Sequence, residues 1–199
     1  MTKIHDLMLK RRSIRRFKAI PVSYTALEKC IDAARLAPSG RNHQFLDYIV
    51  ANDTKILNAM FDNIGGSAKL PPEQGGPRPD QAAKAYTIIL INKAKEGGDA
   101  ARRRITLYDV GMAAENIILS AWEQGIGCCP ILMFNEKDIK AFLNIPEDYD
   151  IALVIAMGIP DEAPVAEAVK DSTNIYVDAN NVRHVPKRKL ADVIHKNGF

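Results

Sequence analysis

Apolar positions along this 199-residue chain alternate between two rhythms, one helical and one extended. Ile4, Leu7 and Met8 follow the spacing of three and four residues that puts side chains on one helix face, with Thr2 before them as an N-cap. A second helix is predicted from near Ser23, with Leu27, Ile31 and Ala34 on one face and Thr25 and Glu28 at capping-box spacing. Pro38, Ser39 and Gly40 stop it. Asp53 caps a third helix bearing Ile56, Leu57 and Met60. The longest predicted helix runs from about Arg104 to Gln124, where Val110, Met112, Ala113, Ile117, Leu119, Ala121 and Trp122 make more than one face apolar. Such a helix is buried centrally or at a subunit interface, and Gly125 and Gly127 end this one. Ile126 to Phe134 leads into a further helix capped by Asn135 and carrying Ile139, Phe142 and Leu143.

Extended segments are fewer. Tyr48 to Ala51 predicts a short strand, Tyr86 to Ile91 a longer buried one, and Tyr149 to Met157 is almost continuously apolar and β-branched, as an interior strand requires. Asn174 to Val185 predicts a hairpin turning at Asn180 and Asn181, which delivers Pro186 and the basic residues after it. Between strand and helix lies an irregular stretch, Gly65 to Asp80, with four glycines and four prolines; a loop of that length in a compact domain is a lid, a binding loop or disordered. No repeat, low-complexity tract or linker divides the chain, so residues 1–199 are expected to form a single domain.

Composition narrows the partners. Lys and Arg number 27 against 24 Asp and Glu, a net charge of +3 that is too small a surplus to point to nucleic acid. The opening MTKIHDLMLKRR lacks the apolar core and cleavage site of a secretory signal, and no run is long enough to span a membrane. Cys30, Cys128 and Cys129 are odd in number, and the adjacent pair suits neither a metal nor an ordinary disulfide. A reduced cytoplasmic setting is therefore expected. His5, His43, His184 and His195 have no partner at metal-ligand spacing, so surface or structural roles are expected of them.

The basic charge is local. Arg11, Arg12, Arg15, Arg16 and Lys18 surround Ser13, and Lys187, Arg188 and Lys189 form a second cluster near the other end. Arginine offers a rigid fork of donors suited to phosphate, lysine a mobile point charge, and serine a short-range hydroxyl, so the two clusters brought together would make an anion site. Taken alone, the first cluster also suits a solvated helix end, where cations meet the C-terminal dipole.

Six runs in order, RRSIRRF (11–17), APSGRNHQ (37–44), DVGMAAENIIL (109–119), GIGCCP (125–130), NIPEDYDIALVIAMGIP (144–160) and VPKRKL (185–190), resemble the FMN-dependent nitroreductase family. The resemblance implies an α+β, three-layer α/β/α fold with a central, mostly antiparallel sheet flanked by helices, built as a domain-entwined homodimer. It implies non-covalently bound FMN at the subunit interface, NADH or NADPH as electron donor, and small electron-poor acceptors such as nitroaromatics or quinones. Carried onto this chain, Arg11, Lys187 and Lys189 would hold the phosphate, Ser13 the ribityl–phosphate end, and Arg15 the N1/O2 edge of the ring. Arg12 matches the motif as well, through its backbone or side chain. Arg16 and Lys18 have no matched role and are expected to be solvated.

The loop with Pro38, Ser39, Gly40, Asn42 and Gln44 resembles the segment that reaches the flavin from the partner subunit, and Pro130, Ile131 and Leu132 match the segment packed against the ring. No residue need act as nucleophile or base, because hydride passes to and from the flavin and the protein supplies alignment and a cationic edge. The catalytic set is therefore empty. Cys128 and Cys129 are expected to be small buried residues, not redox thiols. Three other readings stand beside this one: a specialised flavin enzyme of the same fold, acting in reductive dehalogenation or metabolite dehydrogenation; a protein that stores or senses FMN; and a non-enzymatic anion or nucleic-acid binder.

Overall fold

The computed structural model describes residues 4–66 and 69–199, so the Thr2 cap lies outside the described residues. Two helices open the chain, α1 (Ile4–Lys10) and α2 (Tyr24–Arg35). The cap of α2 is Ser23, whose hydroxyl accepts from the Ala26 amide, whereas Thr25 sits inside the first turn. The expected Thr25/Glu28 capping box is thus displaced by a better-placed serine two residues earlier. Strand β1 (Leu46–Ala51) follows, then α3 (Thr54–Asn63), whose Asp53 cap accepts from the amides of Lys55 and Ile56 as its sequence foretells.

Strand β2 (Ala85–Asn92) is buried along its entire length, and the short α4 (Lys93–Glu96) turns the chain into the long α5 (Ala100–Glu123). The Asp99 side chain caps α5 through the amides of Ala101 and Arg102, one turn earlier than the apolar pattern places its start. Next come β3 (Gly127–Ile131), α6 (Glu136–Leu143) and β4 (Tyr149–Gly158). The tail adds β5 (Val165–Ala168), β6 (Tyr176–Val177) and β7 (Arg183–Lys187).

The main sheet is antiparallel in the order β1-β2-β4-β3. Its two faces bury different clusters. Ile89, Ile91, Leu153, Ile155 and Met157 meet α2 and α5, while Tyr86, Ile88, Leu90, Val154 and Ala156 meet α3 and α6, giving helix, sheet and helix layers. Alternation is interrupted once, where the register shifts between Ile89–Leu153 and Leu90–Ile151. The extra residue, Ala152, flips the parity of β4 and turns Ile151 toward the α3/α6 face. The tail forms a second sheet, β5-β7-β6, in which β5 and β7 run parallel and β6 and β7 make the expected hairpin with Asn181 at positive φ.

Strand β3 is the sheet edge that positions the first basic run. Ser13 bridges Cys128, the Ile14 amide donates to the Cys128 carbonyl at 2.9 Å, and Phe17 bridges Pro160. Ile14 and Phe17 are both essentially buried, and they fit because their neighbours lack side chains. A Cβ on Gly127 would lie 2.6 Å from Ile14, and one on Gly158 would lie 2.8 Å from Phe17. The glycines of GIGCCP and MGIP therefore let residues 11–17 lie against the ends of β3 and β4.

Candidate functional site

Contacts with β3, β4 and Glu162, not a simple alternation, decide which side chains of residues 11–17 face inward, and Arg16 is buried along with the two apolar residues. Ile14 and Phe17 are buried, leaving Arg11, Arg12, Ser13 and Arg15 half-buried along one edge. Arg11 reaches Glu115 of α5 at 3.5 Å. The Arg12 Nε is buried and has no hydrogen-bond partner among the described residues. Burial and, secondarily, the adjacent Arg11 cation hold the Arg12 guanidinium below its ordinary value. Arg15 donates from Nη1 to the Ser13 carbonyl at 3.4 Å.

Arg16 corrects the expectation of a solvated side chain. It is 7% exposed, and its Nε donates to Glu162 at 3.1 Å while its Nη2 donates to the Asn181 carbonyl at 2.9 Å. Glu162 is also almost fully buried and accepts from the Arg15 amide at 2.6 Å, the Arg16 amide at 3.3 Å and Arg183 Nε at 3.3 Å. Arg183 in turn donates to the Gly75 carbonyl. One carboxylate thus ties together the first basic run, the glycine- and proline-rich loop and the tail hairpin. The loop is bound here, and short 3-10 turns at Pro72–Gln74 and Pro79–Gln81 give it local order. Lys18 is exposed as expected.

The segment Pro38–Gln44 is built on α5. Ser39 Oγ donates to Asp109 at 2.9 Å, the Gly40 amide donates to the same carboxylate at 3.1 Å, and the Gln44 amide donates to Ser39 Oγ at 3.0 Å. The Gln44 side-chain amide reaches Asn42 Oδ1 at 3.2 Å. Arg41, Asn42 and Gln44 all hold positive φ, a conformation that L-residues keep only where surrounding contacts enforce it. Gly40 lies so close to the helix that a Cβ there would sit 2.3 Å from Ile105 Cγ2. Burial, with Asp47 and Asp109 adding, pushes the nearby Tyr48 phenol up to about 12.

Pro130 and Ile131 end β3, and Leu132 follows it. Ile131 is buried between the layers, whereas Pro130 and Leu132 face outward. Burial pushes both neighbouring thiols up, Cys128 far above its ordinary value, and the Arg15 cation only partly offsets this at Cys129. All three cysteines are free and buried.

Lys187 and Lys189 project from the exposed end of β7 and beyond it, and neither side chain has a hydrogen bond or ion pair among the described residues. The tail is joined to the first basic run through Arg183 and Glu162, not through these lysines. Within one protomer, the 38–44 loop and Arg11 are also separated. Their anchors on α5, Asp109 and Glu115, stand about 9 Å apart along the axis and about 120° around it.

Asp109, Glu162 and Arg183 are the residues a sequence reading misses. For Asp109 a signal exists: it shares a helix face with Ala113 and Ile117, both buried, so an acid there needs buried donors. For Glu162 and Arg183 none exists, because their partners are far away in sequence.

Among known proteins, the chain is 29% identical over 174 residues to an Archaeoglobus fulgidus protein named "Putative NADH dehydrogenase/NAD(P)H nitroreductase", covering 84% of this chain and 92% of that one. It is 22% identical over 175 residues to the iodotyrosine deiodinase of Thermotoga neapolitana, covering 81% and 91%. Its fold superposes on the FMN-dependent nitroreductase of Clostridium difficile R20291 with a TM-score of 0.66, at 25% identity and 97% and 98% coverage. The model of the nitroreductase family matches residues 8–159, from α1 to the end of β4, and the chain belongs to that family.

Proposed function

We propose that this protein is an FMN-dependent oxidoreductase that moves electrons from NADH or NADPH to small electron-poor acceptors, nitroaromatics and quinones among them. The observation that carries the reading is the edge formed by Arg11, Arg12, Ser13 and Arg15 on β3, in a chain whose relatives include FMN-dependent nitroreductases. FMN brings a phosphate and a ring that takes up hydride from the nicotinamide and passes electrons to the acceptor. The residues present fit such a group: Arg12, whose buried Nε has no acceptor among the described residues and which has the Arg11 cation beside it, would be stabilised by an anion there.

In this reading Arg11, Arg12 and Ser13 hold the phosphate end. Arg15, whose backbone is fixed by Glu162, sets a positive charge at the edge where reduction adds negative charge. Lys187 and Lys189 add mobile positive charge from the tail. Pro130, Ile131 and Leu132 offer a rigid strand end against the ring, and the high-lying thiols of Cys128 and Cys129 stay protonated and take no part. The protein's contribution is alignment and electrostatics, with no nucleophile or base.

Assembly as a homodimer is part of the proposal. Met8 and Leu9 of α1 are 48% and 59% exposed, and Leu107 and Tyr108 of α5, which packs against α1, are 52% and 63% exposed. An apolar surface of this kind calls for a partner, and a second copy would bring its 38–44 loop to the cofactor. Among the described residues no helix is long and apolar enough to cross a membrane. A cytoplasmic setting, without nucleic-acid or membrane partners, belongs to the same reading.

Paired truncations test it. Arg15→Ala is expected to slow flavin reduction by NAD(P)H more than it weakens FMN binding, and Lys187→Ala to do the reverse; the opposite pattern would overturn the assignment. The likeness to a deiodinase favours one second reading, reductive dehalogenation on the same flavin. Steady-state assays with nitroaromatic, quinone and halogenated phenol acceptors separate the two.

A further inference from the structure

The hydrogen bonds that fasten the 38–44 loop to α5 lead to one carboxylate. Asp109 is 4% exposed in the middle of α5, and three hydrogen bonds meet at it or one atom away: Ser39 Oγ at 2.9 Å, the Gly40 amide at 3.1 Å and, through Ser39 Oγ, the Gln44 amide at 3.0 Å. The loop it anchors holds three non-glycine residues at positive φ, at 52° for Arg41, 57° for Asn42 and 54° for Gln44. Strained backbone of this kind persists only where surrounding contacts over-determine it; the Asn42 and His43 amides bond locally to the Ser39 and Gly40 carbonyls, and the polar tie from the loop to the helix is Asp109. A hydroxyl serving as both donor to a carboxylate and acceptor from an amide relays the position of the helix to Gln44, five residues along.

We propose that Asp109 is the positioning residue for the 38–44 loop, acting through the Ser39 hydroxyl to preset Asn42 and Gln44 to contact the cofactor held by the other copy of this chain. This inference rests on the FMN reading and extends it to a residue that touches no cofactor. Its intersubunit part follows from the proposed homodimer, since Asp109 and the Arg11 contact Glu115 lie on different sides of α5. The helix therefore supports its own protomer's anion-binding run with one carboxylate and the loop offered to the partner with another.

The experiment compares wild-type protein, Asp109→Asn and Ser39→Ala, each stripped of flavin and titrated with FMN by fluorescence quenching. Both variants are expected to raise the FMN Kd about tenfold or more, with the far-UV circular dichroism and the dimer mass unchanged. A Kd within twofold of wild type in either folded variant would overturn the proposal. Ser39→Ala keeps the buried carboxylate and gives the answer if Asp109→Asn does not fold. The second arm uses mixed dimers, purified on two tags, of one Asp109→Asn protomer and one protomer carrying Arg11→Ala and Arg12→Ala. If the loop serves the other copy, each mixed dimer regains one site of wild-type affinity, although neither parental homodimer has one. Failure to regain that site would overturn the intersubunit assignment. Wild-type protein that takes up no FMN would instead sink the underlying functional reading, so the two failures are distinct.

Discussion

Replacing Glu162 by glutamine removes one negative charge from a place where it receives four hydrogen bonds, from the Arg15 and Arg16 amides and from the side chains of Arg16 and Arg183. The two guanidiniums stay behind, 8% and 4% exposed, with a neutral amide between them. Breaking a buried ion pair by removing one partner costs about 3–5 kcal/mol. That is a large part of the roughly 5–15 kcal/mol that holds a domain folded. For a chain of this length each kcal/mol shifts Tm by about 2–4 °C, so Glu162→Gln should melt roughly 6–20 °C below wild type. Thermal and urea unfolding of flavin-free protein at one fixed concentration give the comparison, since FMN and dimerisation would otherwise add their own stabilisation. Arg183→Gln combined with Glu162→Gln should cost less than the sum of the two single changes, with a coupling of about 1–3 kcal/mol. A single-variant loss below about 1 kcal/mol, or strict additivity, would refute the claim that this carboxylate is the knot joining the basic run, the glycine- and proline-rich loop and the tail.

Three further outcomes are expected. A Cβ on Gly76 would lie 1.6 Å from the Leu70 carbonyl oxygen, a backbone atom with little room to move, so Gly76→Ala should cost about 1–3 kcal/mol in urea unfolding. His184 sits between Glu167 at 3.0 Å and Asp178 at 3.4 Å and stacks on Tyr176; the Glu167 carboxylate foremost, then Asp178, raises it above its ordinary value of about 6.5, whereas both carboxylates are held below theirs. The histidine's contribution is complete below about pH 6.5 and lost as pH rises through the raised value. The carboxylates' contribution is complete above about pH 4.5 and lost as pH falls, so His184→Gln should flatten the fall of Tm on the alkaline side of pH 6.5. Finally, with Cys30, Cys128 and Cys129 all buried and their thiols raised by burial, a thiol reagent at pH 8 should modify none in the native protein and all three after unfolding.

What the sequence discloses follows the range of each interaction. Asp53 caps α3 through amides two and three residues away, and β4 declares itself by an apolar run, so both are legible locally. Strand β3 is not, because Gly127 and Pro130 in a five-residue run argue against a strand; its register comes from pairing with β4 and from Ile14 lying on Gly127. Arg16 looks like surface charge until Glu162, 146 residues away, is placed beside it. The same holds for Ser39, whose acceptor Asp109 is 70 residues along. Motif order across the chain identifies the family, but only the fold tells which arginine faces the interior and which carboxylate holds the loop.

The most direct measurement is the absorbance spectrum of the purified protein mixed with FMN, freed of unbound flavin, and then treated with NADH or NADPH without oxygen. A retained flavin band near ~450 nm that bleaches with either donor, and returns on adding a nitroaromatic or a quinone, is the predicted result. Protein that stays colourless after incubation with FMN, or whose bound flavin neither donor reduces, would contradict the account.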